Sequence, residues 1–298
     1  MKKMAYLLSL TCLVLLVLSL SFRERHAAVN AINPLQSLQN FVVYYSVVTP
    51  VEVHRITAYD MAILSAGGIR PEMMEQLKAS GTLLYSYVSL VSVEKTDALK
   101  TALMQEDDFL YLTGEKVYNE TYDCFQGDIL SENYRAILMR IIEEREIRPG
   151  FDGVFFDTLD EIEYLQDPDI KQDQFDGYLA FYKDLKTRYP HLSIIQNRGF
   201  SFYLQGSSRY LDGLVYEDLH YHRTRSLPEE EAIYRQLMAA ARQAGHVILA
   251  ISHENREENY QFCLEHRWLY YYSSYENNYL ALEEAIDSVN LQEDTHRK

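Results

Sequence analysis

One decapeptide occurs twice. Residues 151–160 read FDGVFFDTLD and residues 211–220 read LDGLVYEDLH. Aligned, each copy has an apolar residue, Asp-Gly, three apolar or aromatic residues, and an acid. Asp152-Gly153 matches Asp212-Gly213, and Asp157 matches Glu217. A short apolar run bounded by a turn pair predicts a strand covered on both faces, as in a parallel sheet. A carboxylate at the end of such a strand serves the core poorly, whereas ligands and chemistry gather at that end in parallel barrels and open sheets. Alone, either acid reads equally well as a helix cap. Two acids in register on a repeated strand favour a site.

The rest of the chain supplies partners for these two strands. Beginning at residue 41, short strands are expected at 41–46, 59–65, 82–90, 192–196, 247–252 and 268–273. Helices are expected at 71–79, 131–146, 175–189, 228–244, 256–266 and 279–289. With the two decapeptides this makes eight strands alternating with helices, the pattern of a single α/β (β/α)8 TIM-type barrel. An open doubly wound sheet is the competing architecture, but no glycine-rich phosphate loop follows the first strand. The longest irregular connection, 91–128, has the length of a functional loop.

The basic start Met1-Lys2-Lys3 and the apolar run 5–22 form a secretory signal or membrane anchor. The expected division is therefore 1–31 signal or anchor, 32–40 linker, 41–290 barrel and 291–298 polar tail. Lys2, Lys3, Arg23 and Arg25 against Glu24 make the remainder three charges more negative than the overall −16. That acidity disfavours nucleic acid as a partner. It suits neutral or cationic substrates, and it equally suits mere solubility. Cys124 and Cys263 follow the export segment; two cysteines suffice for one disulfide, though spacing does not show that they meet.

Strands four and six have the same parity, so inward faces would bring Asp157 and Glu217 to one height. Side chains two strands apart converge to about 5–9 Å, a range that spans both carboxyl separations used in glycoside hydrolysis. Asp160 would bind a sugar hydroxyl or amine, or cap a helix. Asn197, at the end of strand five between the acids, would anchor a hydroxyl. Tyr87, Asp128, His253 and Tyr271 complete the candidate substrate-binding set. Each of these has a bland alternative as a turn or core residue, as do most of the 25 tyrosines, although tyrosine rings also stack on sugars. No Cys-x-x-Cys, His-x-x-x-His or Gly-x-Ser-x-Gly is present, so no metal, cofactor or nucleophile elbow is expected.

Asp-Gly-Val-Phe-Phe-Asp157-Thr-Leu-Asp160, followed by Gln196-Asn197 and Tyr216-Glu217, resembles glycoside hydrolase family 114, the endo-α-1,4-polygalactosaminidase-like barrels, and also Pel-type exopolysaccharide hydrolase domains. The resemblance covers nearly all of the chain after residue 40. The chain departs from it in carrying Leu90-Val91 where Gly-Glu is expected after strand three. The resemblance implies Asp157 and Glu217 as the catalytic pair of an extracellular enzyme, secreted or anchored through residues 5–22, that cuts an amino-sugar exopolysaccharide in biofilm matrix. It implies no protein partner. Two other functions compete. One is a non-catalytic polysaccharide-binding barrel at the cell surface, which would not need the acids. The other is a metal-dependent deacetylase, which would need histidines near strand four.

Overall fold

A computed structural model describes residues 33–283, apart from 96, 222, 224–226 and 275–277. The expected signal or anchor segment and most of the expected closing helix lie outside the described residues. The barrel strands are β1 (Phe41–Tyr44), β2 (Met61–Leu64), β3 (Leu83–Ser89), β4 (Gly153–Asp157), β5 (Ser193–Asn197), β6 (Gly213–Tyr216), β7 (Val247–Ser252) and β8 (Leu269–Tyr272). They form one sheet in sequence order, and each neighbouring pair is parallel. Side chains join β8 to β1: the Tyr271 hydroxyl donates to the Val43 carbonyl at 3.3 Å, and its ring packs on Phe41 at 5.8 Å. This is the expected (β/α)8 barrel.

The pleat sorts the apolar residues into two cores. Phe155, Ile195, Val215 and Leu249 join the interior cluster. Their strand neighbours Val154, Phe156, Ile194 and Leu214 join a second cluster with the outer helices. Alternate side chains of a strand point to opposite faces, so Asp157 and Glu217 inherit the interior parity of Phe155 and Val215.

The first half of the decapeptide builds the barrel floor. Asp152 Oδ2 accepts the Leu84 amide at 2.9 Å, while its own amide donates to the Leu84 carbonyl at 2.8 Å. Asp212 does the same to Ile194, at 3.0 and 2.9 Å. Each aspartate thus satisfies the polar groups of the second residue in the preceding strand. A Cβ on Gly153 would stand 2.2 Å from Tyr85 Cε1, and one on Gly213 would stand 2.8 Å from Leu35 Cδ1. Tyr85 crosses the floor and donates to Ser193 Oγ at 2.6 Å, which in turn donates to Asp212 at 3.0 Å. The two copies of the repeat are thereby linked.

Four expectations are revised. The stretch 32–40, expected to be a linker, contains Leu35 and Leu38, both buried, and Asn33 Nδ2 donates to the carbonyls of Asp212 and Gly245 at 2.6 and 3.2 Å. It closes the floor from below. A helix not anticipated, α1 (Pro50–Ile56), starts at a Thr49–Glu52 capping box. The helices α2 (Pro71–Ala79) and, far along the chain, 228–244 and 256–266 match expectation. The helix expected at 175–189 begins earlier, at Pro168, because Asp167 accepts the amides of Asp169 and Ile170. The closing helix expected from 279 opens instead as a turn through Tyr279, with Asn278 and Tyr279 both left-handed.

The connection after β3 contains a short helix, α3 (Ala98–Leu103), and small antiparallel pairings, including Ser92–Glu94 with Cys124–Gln126. Lys100 is buried there and donates to the carbonyls of Ser89 and Ser92 at 2.8 and 2.9 Å; burial pushes its pKa down to about 8. Cys124 and Cys263 are both buried free thiols.

The floor geometry makes a direct prediction. Gly153→Ala forces a methyl into a ring pinned at both ends, an overpacking cost of about 1–3 kcal/mol. Gly67→Ala, with nothing within 4 Å of the new Cβ, leaves stability unchanged. Urea unfolding of the two variants beside the parent checks the difference.

Candidate active site

Three successive strands end in the same way. Asp157 closes β4, Asn197 closes β5, and Glu217 follows β6. The next residue in each case is non-glycine and left-handed: Thr158 (φ 70°), Arg198 (φ 46°) and Asp218 (φ 57°). This conformation is costly, most of all for β-branched Thr158. It breaks each strand immediately after the polar side chain, at the barrel mouth. Local bonds hold it in place. Thr158 Oγ1 accepts the amides of Val91 and Ser92 at 2.9 and 3.2 Å and donates to the Asp157 carbonyl at 2.7 Å. Arg198 pairs with Asp160 at 3.0 Å and Asp218 at 2.7 Å.

The acids meet across Asn197. Its Nδ2 donates to Asp157 Oδ1 at 2.8 Å and to Glu217 Oε2 at 2.5 Å. Asn197 Oδ1 is buried and has no hydrogen-bond partner among the described residues, so the two carboxylates impose the orientation of the amide. Tyr279 donates its hydroxyl to Glu217 Oε1 and lies 3.3 Å from His253 Nε2. His253 Nδ1 donates to the Ser273 carbonyl at 2.6 Å, while Nε2 stands 3.5 Å from Asp218 and 4.0 Å from Glu217. The rings of Tyr45, Tyr87 and Tyr279 form a wall, with centroids 4.8 Å apart for Tyr45–Tyr87 and 5.3 Å for Tyr45–Tyr279.

Burial raises the pKa of Glu217, and the neighbouring Asp157 charge raises it further; the Tyr279 and Asn197 hydrogen bonds oppose this only in part. Burial also raises Asp160, against the pull of Arg198. Tyr87 and Tyr279 are pushed far up, first by burial, then by the charges of Asp157 and Glu217 respectively. Both therefore remain protonated and act as neutral hydrogen-bonding groups.

The loop after β3 forms part of the rim. Buried Glu161 accepts from Ser92 Oγ (2.6 Å), Asn119 Nδ2 (3.2 Å) and Gln126 Nε2 (3.1 Å), tying the loop to the segment that follows Asp157. The loop presents Tyr122, 73% exposed, whose hydroxyl is raised by partial burial and then by Glu217, Asp218, Asp160 and Asp157. Tyr164, 64% exposed, receives Arg198 Nη2 at 3.5 Å.

Of the candidates drawn from sequence, Asp157, Glu217, Asn197, Asp160, Tyr87 and His253 come together at the mouth. Two do not. Asp128 accepts from the Leu130 amide at 2.9 Å and from Gln174 Nε2 at 2.7 Å, and so serves the packing of the following helices. Tyr271 is the seam residue between β8 and β1. Sequence reasoning missed Tyr45, Arg198, Asp218 and Tyr279. Arg198 and Asp218 had a signal, since each directly follows a candidate. Tyr279 had none, because it lies beyond the last strand.

The arrangement offers two carboxyl groups held by one donor beside a wall of tyrosine rings, which is the equipment of acid–base and nucleophilic work on a sugar. A family model for glycoside hydrolase family GH114 matches residues 23–281. No curated protein matches the chain. Among solved structures, the glycoside hydrolase domain of PelA from Pseudomonas aeruginosa is 20% identical with a TM-score of 0.68, covering 84% of this chain and 100% of that one. Ega3 of Aspergillus fumigatus, solved with galactosamine, is 14% identical with a TM-score of 0.60, covering 79% and 91% respectively. At such identities the likeness speaks for the barrel alone; the family match takes in every barrel strand, the acid pair and Tyr279. The chain belongs to glycoside hydrolase family GH114.

Proposed function

We propose that the protein is an exported, endo-acting glycoside hydrolase that cleaves an α-1,4-linked galactosamine-type exopolysaccharide through a covalent intermediate on Asp157, with Glu217 as general acid and base. One observation carries this reading. The two carboxyl oxygens bonded to Asn197 Nδ2 at 2.8 and 2.5 Å are at most about 5.3 Å apart, the spacing of retaining rather than inverting pairs. The roles follow from the surroundings of Glu217, where burial and the neighbouring Asp157 charge favour the protonated acid.

In the first step an Asp157 oxygen attacks the anomeric carbon while the Glu217 proton passes to the glycosidic oxygen, and the anomeric C–O bond breaks. In the second, Glu217 takes a proton from water, the water oxygen bonds to the anomeric carbon, and the Asp157 ester is released. Asn197 keeps a hydrogen bond to each acid through both steps. The substrate class is supported by the resemblance of the motifs, by the galactosamine seen in Ega3 and by the acidic mouth. There Asp157, Glu217, Asp160 and Asp218 gather around Arg198, and this acidity favours a cationic, partly deacetylated polymer. Tyr122 and Tyr164, exposed on different segments of the rim, support binding of an extended chain rather than its tip. The basic start and apolar run at 5–22 support action outside the cell.

The decisive assay is reducing-end release from acetylated and deacetylated α-1,4-linked galactosamine polymers. Parent protein releases ends and preserves α configuration in the first product, as read by NMR. Asp157→Asn and Glu217→Gln each lose activity by roughly 10³-fold or more. Intact binding with no cleavage by the parent protein would point instead to a surface-binding barrel.

Two pH effects follow. kcat/KM falls on the alkaline side as Glu217 loses its proton, with a midpoint above the ordinary glutamate range. The folded pKa of Glu217 is raised, so its ionisation costs stability once pH exceeds the unfolded value. Glu217→Gln therefore melts at a higher temperature than the parent at pH 8, and the difference closes below pH 4.

A further inference from the structure

A general acid that becomes a general base must keep its surroundings satisfied in both protonation states. Glu217 has fixed company on one side, since Asn197 Nδ2 can only donate to Oε2. On the other side stands a hydroxyl, which both donates and accepts. Tyr279 Oη bonds to Glu217 Oε1 and also lies 3.3 Å from His253 Nε2. The bond from His253 Nδ1 to the Ser273 carbonyl, at 2.6 Å, places the imidazole proton on Nδ1 and leaves Nε2 with a lone pair. Tyr279 is itself fixed, because its carbonyl accepts the Tyr45 amide at 2.9 Å and its ring packs on Tyr45. The hydroxyl proton is therefore the movable part.

Resting on the assignment of Glu217 as acid and base, we propose that Tyr279 is a two-position rotor, a positioning residue whose hydroxyl turns between Glu217 Oε1 and His253 Nε2 as Glu217 loses and regains its proton. With Glu217 neutral and no substrate bound, its Oε1–H donates to Tyr279 Oη and the tyrosine proton donates to Nε2; on substrate binding the Glu217 O–H turns to the glycosidic oxygen. When Glu217 gives its proton to the glycosidic oxygen, the tyrosine O–H turns to Oε1 and steadies the carboxylate. When the attacking water returns a proton, the hydroxyl turns back. No proton passes to His253, so protons balance within the reaction already described.

Among the described residues, three groups that face His253 define the rival role. Glu217 and Asp218 approach from the end of β6, and Tyr279 from beyond β8. A protonated imidazole would donate to these carboxylates and act as a cation. The two roles predict opposite effects on Glu217. As a rotor acceptor, His253 draws the tyrosine proton away from the carboxylate; as a cation, it stabilises the carboxylate.

The test is a ¹³C NMR titration of the glutamate-labelled protein, with the Glu217 carboxyl signal assigned by its loss in Glu217→Gln. Tyr279→Phe removes only the hydroxyl and raises the Glu217 midpoint by about 1–2 pH units, the worth of one hydrogen bond to a charged group. His253→Asn keeps a donor for the Ser273 carbonyl but lacks Nε2, and it lowers the midpoint. A midpoint unmoved in Tyr279→Phe, or unmoved or raised in His253→Asn, overturns the rotor. The titration requires no turnover, so it stands apart from the polymer assay. Parent protein that cuts no polymer refutes the proposed substrate and chemistry, whereas the midpoints alone decide the rotor.

Discussion

The structure is governed by the need to hold two acids against each other. At an effective dielectric constant of about 20, two unit charges 5 Å apart repel by about 3 kcal/mol. Burial adds to that penalty at Glu217. One amide, Asn197, offers both its protons to the pair and leaves its own oxygen without a described partner. The three left-handed residues behind Asp157, Asn197 and Glu217 add backbone strain at the same level of the barrel. The mouth is thus a region of unfavourable terms, and apolar packing elsewhere must offset them. It does so in two separate layers, an interior cluster that includes Phe155 and Val215 and an outer one that includes Phe156 and Leu214.

The repeated decapeptide divides its work along its length. Asp-Gly serves the floor, where each aspartate completes the preceding strand and each glycine makes room for a large neighbour. The apolar triplet serves the two cores, and the final acid serves the mouth. That division made the barrel and the acid pair legible from sequence alone, because a pleat of period two fixes which residues face inward once the strand is recognised. Asn197, Asp160 and His253 were legible for a related reason: each lies close after a recognisable strand.

Other features were hidden for physical reasons. Tyr279 reaches Glu217 from a turn with no periodicity, and a turn's side-chain direction depends on tertiary contacts such as the bond between its carbonyl and Tyr45. Asp128 looked like a candidate because its distant partner is invisible in sequence; beside a local turn bond from Leu130, it accepts from Gln174, which arrives only when the following helices pack. The stretch before β1 looked like a linker because two leucines in a short polar segment carry no period. Their burial depends on the floor that they close from below, which forms only when the starts of β6 and β7 arrive above them.

The strands that carry the acids also act as rulers. From Gly153 to Asp157 and from Gly213 to Glu217 the count is the same, and each glycine lies close against the floor, Gly153 under the Tyr85 ring and Gly213 against Leu35. A residue inserted or deleted between glycine and acid would turn the carboxylate onto the helix-covered outer face, since a one-residue slip reverses a strand's faces. Length changes in β4 and β6 are therefore permitted only in pairs of residues. The loops beyond Asp157 and Glu217 carry no such parity rule, so substrate preference is free to diversify there while the spacing of the acids stays fixed.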